Sequence, residues 1–359
     1  MITAVPHVEA MAAYALADLG GDKMISLAQN ESAFPASPTA LEVGRTVMDN
    51  MSLYPDPEWL TLRRAISEVH ALDTAKILCG SGSMELIGCL IRAFVGSGDQ
   101  VLGTEFGYAY VASATAQVRA KYVKAPEFDF TVSVDSILGA VTPETKIVFV
   151  CNPGNPTGTL IDNTELIRLR DSLPDNILLV IDQAYAEFSD DIVGNDPNVI
   201  FDLVNRGDTV VLRTFSKAYG LAGARVGWGY FPTHIAGEVR KLLNPNNIST
   251  VSQEVAAAAM RDQAHMKEIV RKTAAIRDDF SHKVRGLRFE IPESRTNFIL
   301  IRFADTEEAQ QADQALRDNS LLMRGMSGYG LSNCLRATIC EEAVMKRAFT
   351  VLEGVRNDV

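Results

Sequence analysis

The hydrophobic pattern changes character at about Pro232. Before it, short apolar runs alternate with stretches whose apolar residues recur at helical spacing. The runs predict strands at residues 100–103, 121–124, 146–151, 177–182 and 209–213, and the periodic stretches predict helices near 108–119, 135–141, 163–172 and 198–204. Such alternation indicates an α/β domain, in which helices cover both faces of a mostly parallel sheet.

Helical periodicity dominates after Pro232. The pattern predicts helices at 233–243, 250–261, 264–285, 306–318 and 341–354, and strands at 287–291, 297–302, 320–324 and 334–339. This mixture is typical of a smaller α+β domain. The predicted organisation is therefore an N-terminal arm over residues 1–37, a large domain over 38–240 and a small domain over 241–359, with the arm packed on the small domain.

Composition excludes several classes of protein. The 359 residues are 47% hydrophobic and carry a net charge of −11, which argues against a nucleic-acid surface. The sequence contains neither a CxxC nor an HExxH spacing, so we do not expect a metal site. The cysteines are interpreted as small core residues. Residues 1–20 lack the pattern of a signal peptide, and no apolar run is long enough to span a membrane. We therefore expect a cytoplasmic protein.

A lysine follows the apolar run at the start of the segment DTVVLRTFSKAYGLAGARVGWG, which spans residues 208–229. Lys217 lies just after the predicted strand 209–213 and before a turn rich in glycine and alanine. A desolvated lysine loses affinity for its proton and becomes an amine nucleophile. Taken alone, Lys217 is better explained as a strand-end lysine that reaches out to water.

Other polar residues follow neighbouring strands, and this coincidence favours a site. Asp182 ends one strand, and the segment CNPGNPTG, residues 151–158, ends another. Gly80 to Ser83 form a turn before a predicted helix, where free backbone N–H groups suit a phosphate. This turn is not a dinucleotide fingerprint, since Glu85 stands where a glycine is needed. Ligands of parallel sheets bind beyond the carboxyl ends of the strands.

These parts match the needs of pyridoxal phosphate. A lysine holds its aldehyde, a carboxylate keeps its ring nitrogen protonated, and a phosphate site anchors it. Lys217 and Asp182 are the candidates for the first two roles. The remaining candidates are Ser83, Ser216 and Arg225 for the phosphate, Asn155 and Tyr185 for the ring 3′-oxygen, and Tyr108 for stacking on the ring.

Several motifs together resemble one enzyme family. The chain is similar to the histidinol-phosphate aminotransferase branch of the class II, fold type I pyridoxal-phosphate aminotransferases, from about Tyr14 to the C-terminus. The motifs that carry this resemblance are YPDP, GSGSMELI, CNPGNPTG, VIDQAY, TFSKAYGLAG and NCLRATI, beginning at Tyr54, Gly80, Cys151, Val180, Thr214 and Asn333.

The resemblance implies a role for each matching residue. Lys217 would be the imine lysine and the acid/base of the proton transfer, with Asp182 and Tyr185 as the other catalytic residues. Ser83, the Met84 N–H, Ser216 and Arg225 would bind the cofactor phosphate, Asn155 and Tyr185 the 3′-oxygen, and Tyr108 the ring. Tyr54 would reach the cofactor of a partner subunit, which implies a homodimer. The N-terminal arm over residues 1–37 would pack on the partner subunit as well as on the small domain. Tyr14, Asn30, Arg324 and Arg336 would bind substrate, with Arg336 clamping a carboxylate.

The implied reaction is transfer of an amino group between glutamate/2-oxoglutarate and histidinol phosphate/imidazole-acetol phosphate, by a ping-pong Schiff-base mechanism. Aromatic amino-acid aminotransferases and threonine-phosphate decarboxylase-like lyases use the same scaffold and stay open as alternatives. A non-catalytic, cofactor-sensing regulator is disfavoured, because such proteins carry a basic DNA-binding extension and this chain has a net charge of −11.

Overall fold

The computed structural model of the chain describes residues 2–13, 21, 24–192 and 194–357. Tyr14, a predicted substrate residue, lies outside these ranges. The strands are β1 (Ile25–Leu27), β2 (Ile77–Gly80), β3 (Gln100–Thr104), β4 (Lys121–Ala125), β5 (Glu127–Phe128), β6 (Thr131–Val132), β7 (Thr145–Cys151), β8 (Leu178–Asp182), β9 (Thr209–Thr214), β10 (Gly227–Tyr230), β11 (Phe298–Arg302), β12 (Leu321–Met326) and β13 (Leu331–Thr338).

From residue 108 onward, the helices of the described ranges agree closely with the predicted ones, which rested on apolar periodicity. They are α1 (Pro6–Glu9), α2 (Pro38–Val47), α3 (Leu60–His70), α4 (Ser83–Phe94), α5 (Ala109–Gln117), α6 (Val134–Gly139), α7 (Asn163–Ser172), α8 (Pro197–Val204), α9 (Thr233–Arg240), α10 (Thr250–Arg261), α11 (Gln263–Gly286), α12 (Thr306–Asp318) and α13 (Glu342–Asn357). Side chains of Ser37, Ser249 and Asp305 cap α2, α10 and α12 by accepting hydrogen bonds from their first turns.

The large sheet confirms the α/β prediction. Its strands lie in the order β2-β10-β9-β8-β7-β3-β4, and β4, β3, β7, β8 and β9 are mutually parallel. Strand β10 is antiparallel to both of its neighbours and was not predicted, since half of its four residues are glycine. The glycines are required for packing, because a Cβ on Gly227 would lie 2.2 Å from the Ser83 nitrogen.

The small sheet has the order β1-β12-β13-β11. Strand β1, which was not predicted, pairs in parallel with β12, and so residues of the predicted arm belong to this sheet. The predicted strand at 287–291 is wrong: the only ladder contact described there is an isolated bridge between Glu290 and Arg302. Phe289 and Ile291 are buried individually, so their alternation reflects packing rather than pairing, and Arg288 has a left-handed φ of 67°.

The packing of α10 bears on how the chain divides. This helix lies against α2 and α3, and its apolar residues belong to the same continuous core as the large sheet. A separate core lies between the small sheet and helices α11, α12 and α13. The domain boundaries at residues 37 and 240 stay predictions. Within the described ranges, we find no helix that combines the length and the apolar character needed to cross a bilayer.

The register of the large sheet brings the predicted site residues to one edge. Cys151 at the end of β7 is opposite Asp182 at the end of β8, and Asp182 is opposite Leu212 of β9. Lys217 follows the end of β9. Because these strands are parallel, the segments that follow them leave the sheet on the same side.

Candidate active site

A cavity of about 400 Å³ lies at this edge of the sheet. Its lining combines residues from the loops after the parallel strands with residues of β12 and β13. It contains every predicted cofactor and substrate residue of the described ranges except Tyr54, namely Asn30, Ser83, Met84, Tyr108, Asn155, Asp182, Tyr185, Ser216, Lys217, Arg225, Arg324 and Arg336. Tyr54 lies elsewhere on the surface and is 89% exposed.

The amine of Lys217 is held inside the cavity by backbone carbonyls. Its Nζ donates to the carbonyl oxygens of Asn30 at 2.9 Å and Gln29 at 3.4 Å, and it lies 5.8 Å from the centre of the Tyr185 ring. Burial lowers the pKa of Lys217 to about 7, and the positive charge of Arg336 contributes to this shift. A lysine with such a pKa is substantially neutral near neutral pH and is therefore a competent nucleophile and proton carrier.

Asp182 is a buried carboxyl at the end of β8. Its Oδ1 accepts a hydrogen bond of 3.1 Å from the Ala184 nitrogen, and Oδ2 lies 4.0 Å from the Cys151 sulfur. Burial raises the pKa of Asp182 to about 7, while the Ala184 N–H and Lys217 act in the opposite direction. A cationic ring nitrogen placed against this carboxyl would lower its pKa again, so the site favours a ligand that carries positive charge there.

Another part of the cavity lining combines backbone N–H groups with a positive charge, which are donors suited to an anion. Helix α4 begins at Ser83, so the N–H groups of its first turn have no partner within the helix. Arg225 lies beside this turn and donates to Ser216 Oγ at 3.4 Å and to the Ala222 carbonyl at 2.9 Å. Gly82, with a φ of 74°, permits this approach, because a Cβ there would lie 2.5 Å from Arg225 Nη2.

A hydrogen-bond network joins the two sheets across the cavity. Arg336 of β13 donates to Asn155 Oδ1 at 2.7 Å and to the Ala28 carbonyl at 2.8 Å. Asn30 Nδ2 donates to the Tyr185 hydroxyl at 2.8 Å. Asn155 and Tyr185 come from the loops after β7 and β8, so the residues predicted for the ring 3′-oxygen are held by residues predicted for the substrate.

Sequence reasoning missed several cavity residues. Gln29 and Glu31 belong to the segment that contacts Lys217, and Glu31 raises the pKa of that lysine. Thr214 also lines the cavity. Cys151 was interpreted as a core residue, but it is both buried and part of the lining. For Gln29 and Glu31, the one signal in the sequence was the turn-rich composition of residues 27–38. That composition predicts a loop but does not indicate which part of the protein the loop contacts.

The arrangement can carry out one kind of chemistry. One cavity is lined by a lysine with a lowered pKa, a buried carboxyl, the first turn of α4 beside Arg225, and two further arginines. Among the described residues, no group of three or more histidine, cysteine, aspartate or glutamate side chains is arranged to hold a metal ion. The amine, the buried carboxyl and the backbone N–H groups beside Arg225 fit an organic, phosphorylated carbonyl compound whose ring nitrogen is cationic.

Comparison with known proteins identifies the family. The family model for aminotransferase class I and II matches residues 22–352, and the chain belongs to this family. Its relatives include a histidinol-phosphate aminotransferase of Paramagnetospirillum magneticum, 42% identical over 323 residues that cover 89% of this chain and 88% of the relative. Another, from Cereibacter sphaeroides, is 40% identical over 328 residues and covers 91% and 90%.

Solved structures agree with the fold. The histidinol-phosphate aminotransferase of Sinorhizobium meliloti, solved in complex with pyridoxal-5′-phosphate, superposes with a TM-score of 0.90 at 26% identity and covers 98% of this chain and 97% of that one. An aspartate aminotransferase variant of Thermus thermophilus superposes with a TM-score of 0.84 at 17% identity, covering 99% and 100%, which demonstrates a shared fold alone.

Proposed function

We propose that this chain is a pyridoxal-phosphate-dependent aminotransferase that exchanges an amino group between glutamate/2-oxoglutarate and histidinol phosphate/imidazole-acetol phosphate. The observation that carries the proposal is one cavity that holds the Lys217 amine, the Asp182 carboxyl and the anion site around Arg225. The relatives with about 40% identity over most of the chain support the choice of substrate.

The donor set fits the cofactor at three points. Lys217 would hold it covalently, Asp182 would pair with its ring nitrogen, and the first turn of α4, with Ser216 and Arg225, would bind its phosphate. Bound there, pyridoxal phosphate supplies an electron-withdrawing ring that stabilises negative charge on the carbon next to the substrate nitrogen. The raised pKa of Asp182 indicates how strongly its buried charge needs a cationic partner.

Lys217 would also move the proton on which the reaction depends. Whenever Lys217 is not bound to the cofactor, its Nζ would be a free amine in the cavity. In the cofactor-free chain the pKa of this amine is about 7, so such a group would accept and release a proton with little energetic penalty at neutral pH. The carbonyls of Gln29 and Asn30 would accept hydrogen bonds from this amine and hold it inside the cavity.

The substrate end of the cavity is suited to anions. Arg336 and Arg324 both line it, on strands β13 and β12, which pair at these two residues. Glutamate presents carboxylates and histidinol phosphate presents a phosphate, and guanidinium groups bind both geometries in a bidentate manner. One set of arginines would therefore serve both substrates in turn, as a ping-pong reaction requires.

We also propose that the enzyme is a homodimer in which Tyr54 reaches the partner's cofactor phosphate. In the single chain Tyr54 is almost fully exposed, and Met48, Met51 and Leu53 beside it are exposed as well. A run of exposed apolar side chains of this kind is typical of a protein–protein interface. The cytoplasmic location stays a prediction from the sequence.

A half-reaction experiment tests the function. The holoenzyme is first treated with glutamate, which should remove its yellow absorbance, and is then offered imidazole-acetol phosphate, phenylpyruvate or an aliphatic 2-oxo acid. We expect imidazole-acetol phosphate to restore the absorbance with a kcat/KM at least about 100-fold above the others, because only it carries a phosphate. Preference for a non-phosphorylated acceptor would reject the substrate assignment. If the holoenzyme does not respond to glutamate but releases carbon dioxide from threonine phosphate, the lyase is favoured.

A further inference from the structure

A buried arginine outside the cavity connects two of the proposed catalytic segments. Arg213 belongs to β9, and its side chain is completely buried. Successive side chains of a strand point to opposite faces, so Arg213 points away from the face of Thr214, which lines the cavity. Arg213 is not a lining residue, and it therefore does not touch cofactor or substrate directly.

The guanidinium of Arg213 contacts the segment that follows β8. It donates to Gln183 Oε1 through Nε at 3.2 Å and Nη2 at 3.1 Å. Two further bonds reach the Asp190 carboxylate, from Nη1 at 2.9 Å and Nη2 at 3.1 Å, and Glu187 Oε1 lies 3.8 Å from Nη1. One side chain thus holds three points along residues 183–190.

Residues 183–190 lie next to, or include, the two residues proposed to bind the ring nitrogen and the 3′-oxygen of the cofactor. This segment begins directly after Asp182 and includes Tyr185. The Gln183 nitrogen donates to the Leu212 carbonyl at 2.8 Å, so the backbone adds a link between the same two strands. Gln183 is therefore bonded to β9 through both its backbone and its side chain, between Asp182 and Tyr185.

Arg213, Glu187 and Asp190 form a buried group of charges rather than a surface ion pair. Burial raises the pKa of Glu187 to about 7 and also raises the pKa of Asp190. The Arg213 guanidinium lies 5.1 Å from the centre of the Phe201 ring, which closes the cluster on an apolar side. A buried charge with this many partners fixes geometry, because any displacement leaves a desolvated group unpaired.

We propose that Arg213 is a positioning residue, which fixes the turn from Asp182 to Tyr185 relative to the strand that carries Lys217. The proposal rests on the proposed function, since it concerns how these groups meet pyridoxal phosphate. It assigns to Arg213 an effect on the cofactor that reaches it through Gln183, beyond any contribution to stability.

Arg170 offers a matched control at the other end of the same strands. It is also buried, and it donates to the carbonyls of Leu173, Ile177 and Asp208, next to the starts of β8 and β9. Both arginines therefore tie β8 to β9, but Arg213 acts at the carboxyl ends and Arg170 at the amino ends. Loss of either arginine should lower the melting temperature. Only loss of Arg213 should shift the pH midpoint of the absorbance of the bound cofactor.

The experiment compares Arg213→Met, Gln183→Met and Arg170→Met as holoenzymes. Three quantities are measured: the melting temperature, the pH midpoint of the visible absorbance of the Lys217-bound cofactor, and kcat and KM separately. For Arg213→Met we expect the midpoint to rise by about one pH unit, since a displaced Tyr185 no longer stabilises the 3′-oxygen. We expect kcat to fall about 100-fold, because small misplacements of reacting groups have effects of this size.

Gln183→Met decides the matter if Arg213→Met does not fold. It removes the link from the guanidinium to the turn and leaves the ion pair with Asp190 in place, so it should shift the midpoint in the same direction by a smaller amount. Arg213→Lys should restore part of both the midpoint and kcat.

The result that overturns the proposal is a wild-type midpoint and kcat in both Arg213→Met and Gln183→Met, or in Gln183→Met alone if Arg213→Met does not fold. An equal shift of the midpoint in Arg170→Met would also overturn it. A wild-type chain that binds no pyridoxal phosphate would instead reject the proposed function, so the two failures are distinguishable.

Discussion

Arg336 Nη1 donates a 2.7 Å hydrogen bond to Asn155 Oδ1, and this contact joins strand β13 of the small sheet to the loop after β7 of the large sheet. The second terminal nitrogen of Arg336 donates to the Ala28 carbonyl next to β1. The arginine proposed to bind substrate is thus bonded to a residue proposed to bind the cofactor and to the segment before Asn30. An incoming carboxylate would compete with these bonds, which would couple substrate binding to the orientation of Asn155.

We predict that Arg336→Lys lowers kcat/KM for glutamate about 100-fold, mainly through KM. Lysine retains the positive charge but loses the planar pair of donors that a carboxylate needs. Steady-state kinetics with varied glutamate check the prediction. Arg302→Lys is the control, since that arginine lies on neighbouring strand β11, is partly exposed and pairs with Glu290. A normal KM for Arg336→Lys would contradict the assignment of Arg336 to the carboxylate.

The pKa of Lys217 makes a prediction for the cofactor-free protein. Below pH 7 its amine is protonated and unreactive, and above pH 7 it is a free nucleophile. The rate of its modification by an amine-specific reagent should therefore rise with a midpoint near pH 7, as followed by peptide mass spectrometry. Arg336→Gln should move the midpoint upward, because the charge of Arg336 is one of the factors that lower the pKa. Exposed Lys241, whose amine pairs with Glu238, is the solvent-accessible control for the reagent in the same sample. A Lys217 midpoint at the ordinary lysine value of about 10.4 would show that burial does not act on this amine.

Much of this site was predictable because strand ends are visible in a sequence. Apolar runs marked the ends of β7, β8 and β9, and the parallel sheet then required Asn155, Asp182 and Lys217 to meet. Periodicity does not reveal which distant segments pack together. The contact of Gln29 and Asn30 with Lys217, and the bond between Arg213 and Gln183, arise only in the folded chain. Strand β10 was missed because its glycines satisfy a packing requirement and have no apolar signature.

Asp182 should make the cofactor-free protein less stable as the pH rises. Its folded pKa of about 7 lies above its usual value of 3.8, so the folded state binds its proton more tightly than the unfolded state. The resulting stabilisation is complete below about pH 4 and is lost as the pH rises towards 7, a change on the order of 4 kcal/mol. Urea unfolding at several pH values should show that Asp182→Asn has a smaller loss than the wild type. Glu127 and Glu187, whose pKa values burial also raises to about 7, and His70, whose pKa burial lowers to about 3, contribute to the slope in both proteins. If the free energy of unfolding has the same pH slope in the wild type and in Asp182→Asn, Asp182 is not a buried carboxyl with a raised pKa.

Gly82→Ala should weaken binding of pyridoxal phosphate at least about 10-fold, because the new Cβ would lie 2.5 Å from Arg225 Nη2 and displace that side chain. Gly98→Ala is a matched control: its φ of 91° is also left-handed, but a Cβ there meets nothing within 4 Å. Both substitutions should cost about 1 kcal/mol of stability through backbone strain. The affinities for pyridoxal phosphate are measured by titration of the cofactor-free proteins. Equal affinities of the two variants would show that Arg225 does not bind the phosphate.

Mixing two inactive variants tests whether Tyr54 acts across a dimer. Lys217→Ala removes the imine lysine, and Tyr54→Ala removes the hydroxyl proposed to reach the partner's cofactor phosphate. In a twofold dimer of one Lys217→Ala chain and one Tyr54→Ala chain, one site has both changes and the other has neither. Unfolding and refolding an equal mixture should therefore restore about a quarter of the wild-type sites, given random pairing. Arg302→Ala in place of Tyr54→Ala is the control, because it leaves activity in the unmixed protein. No recovery on mixing, with dimers present by light scattering, would confine Tyr54 to its own chain.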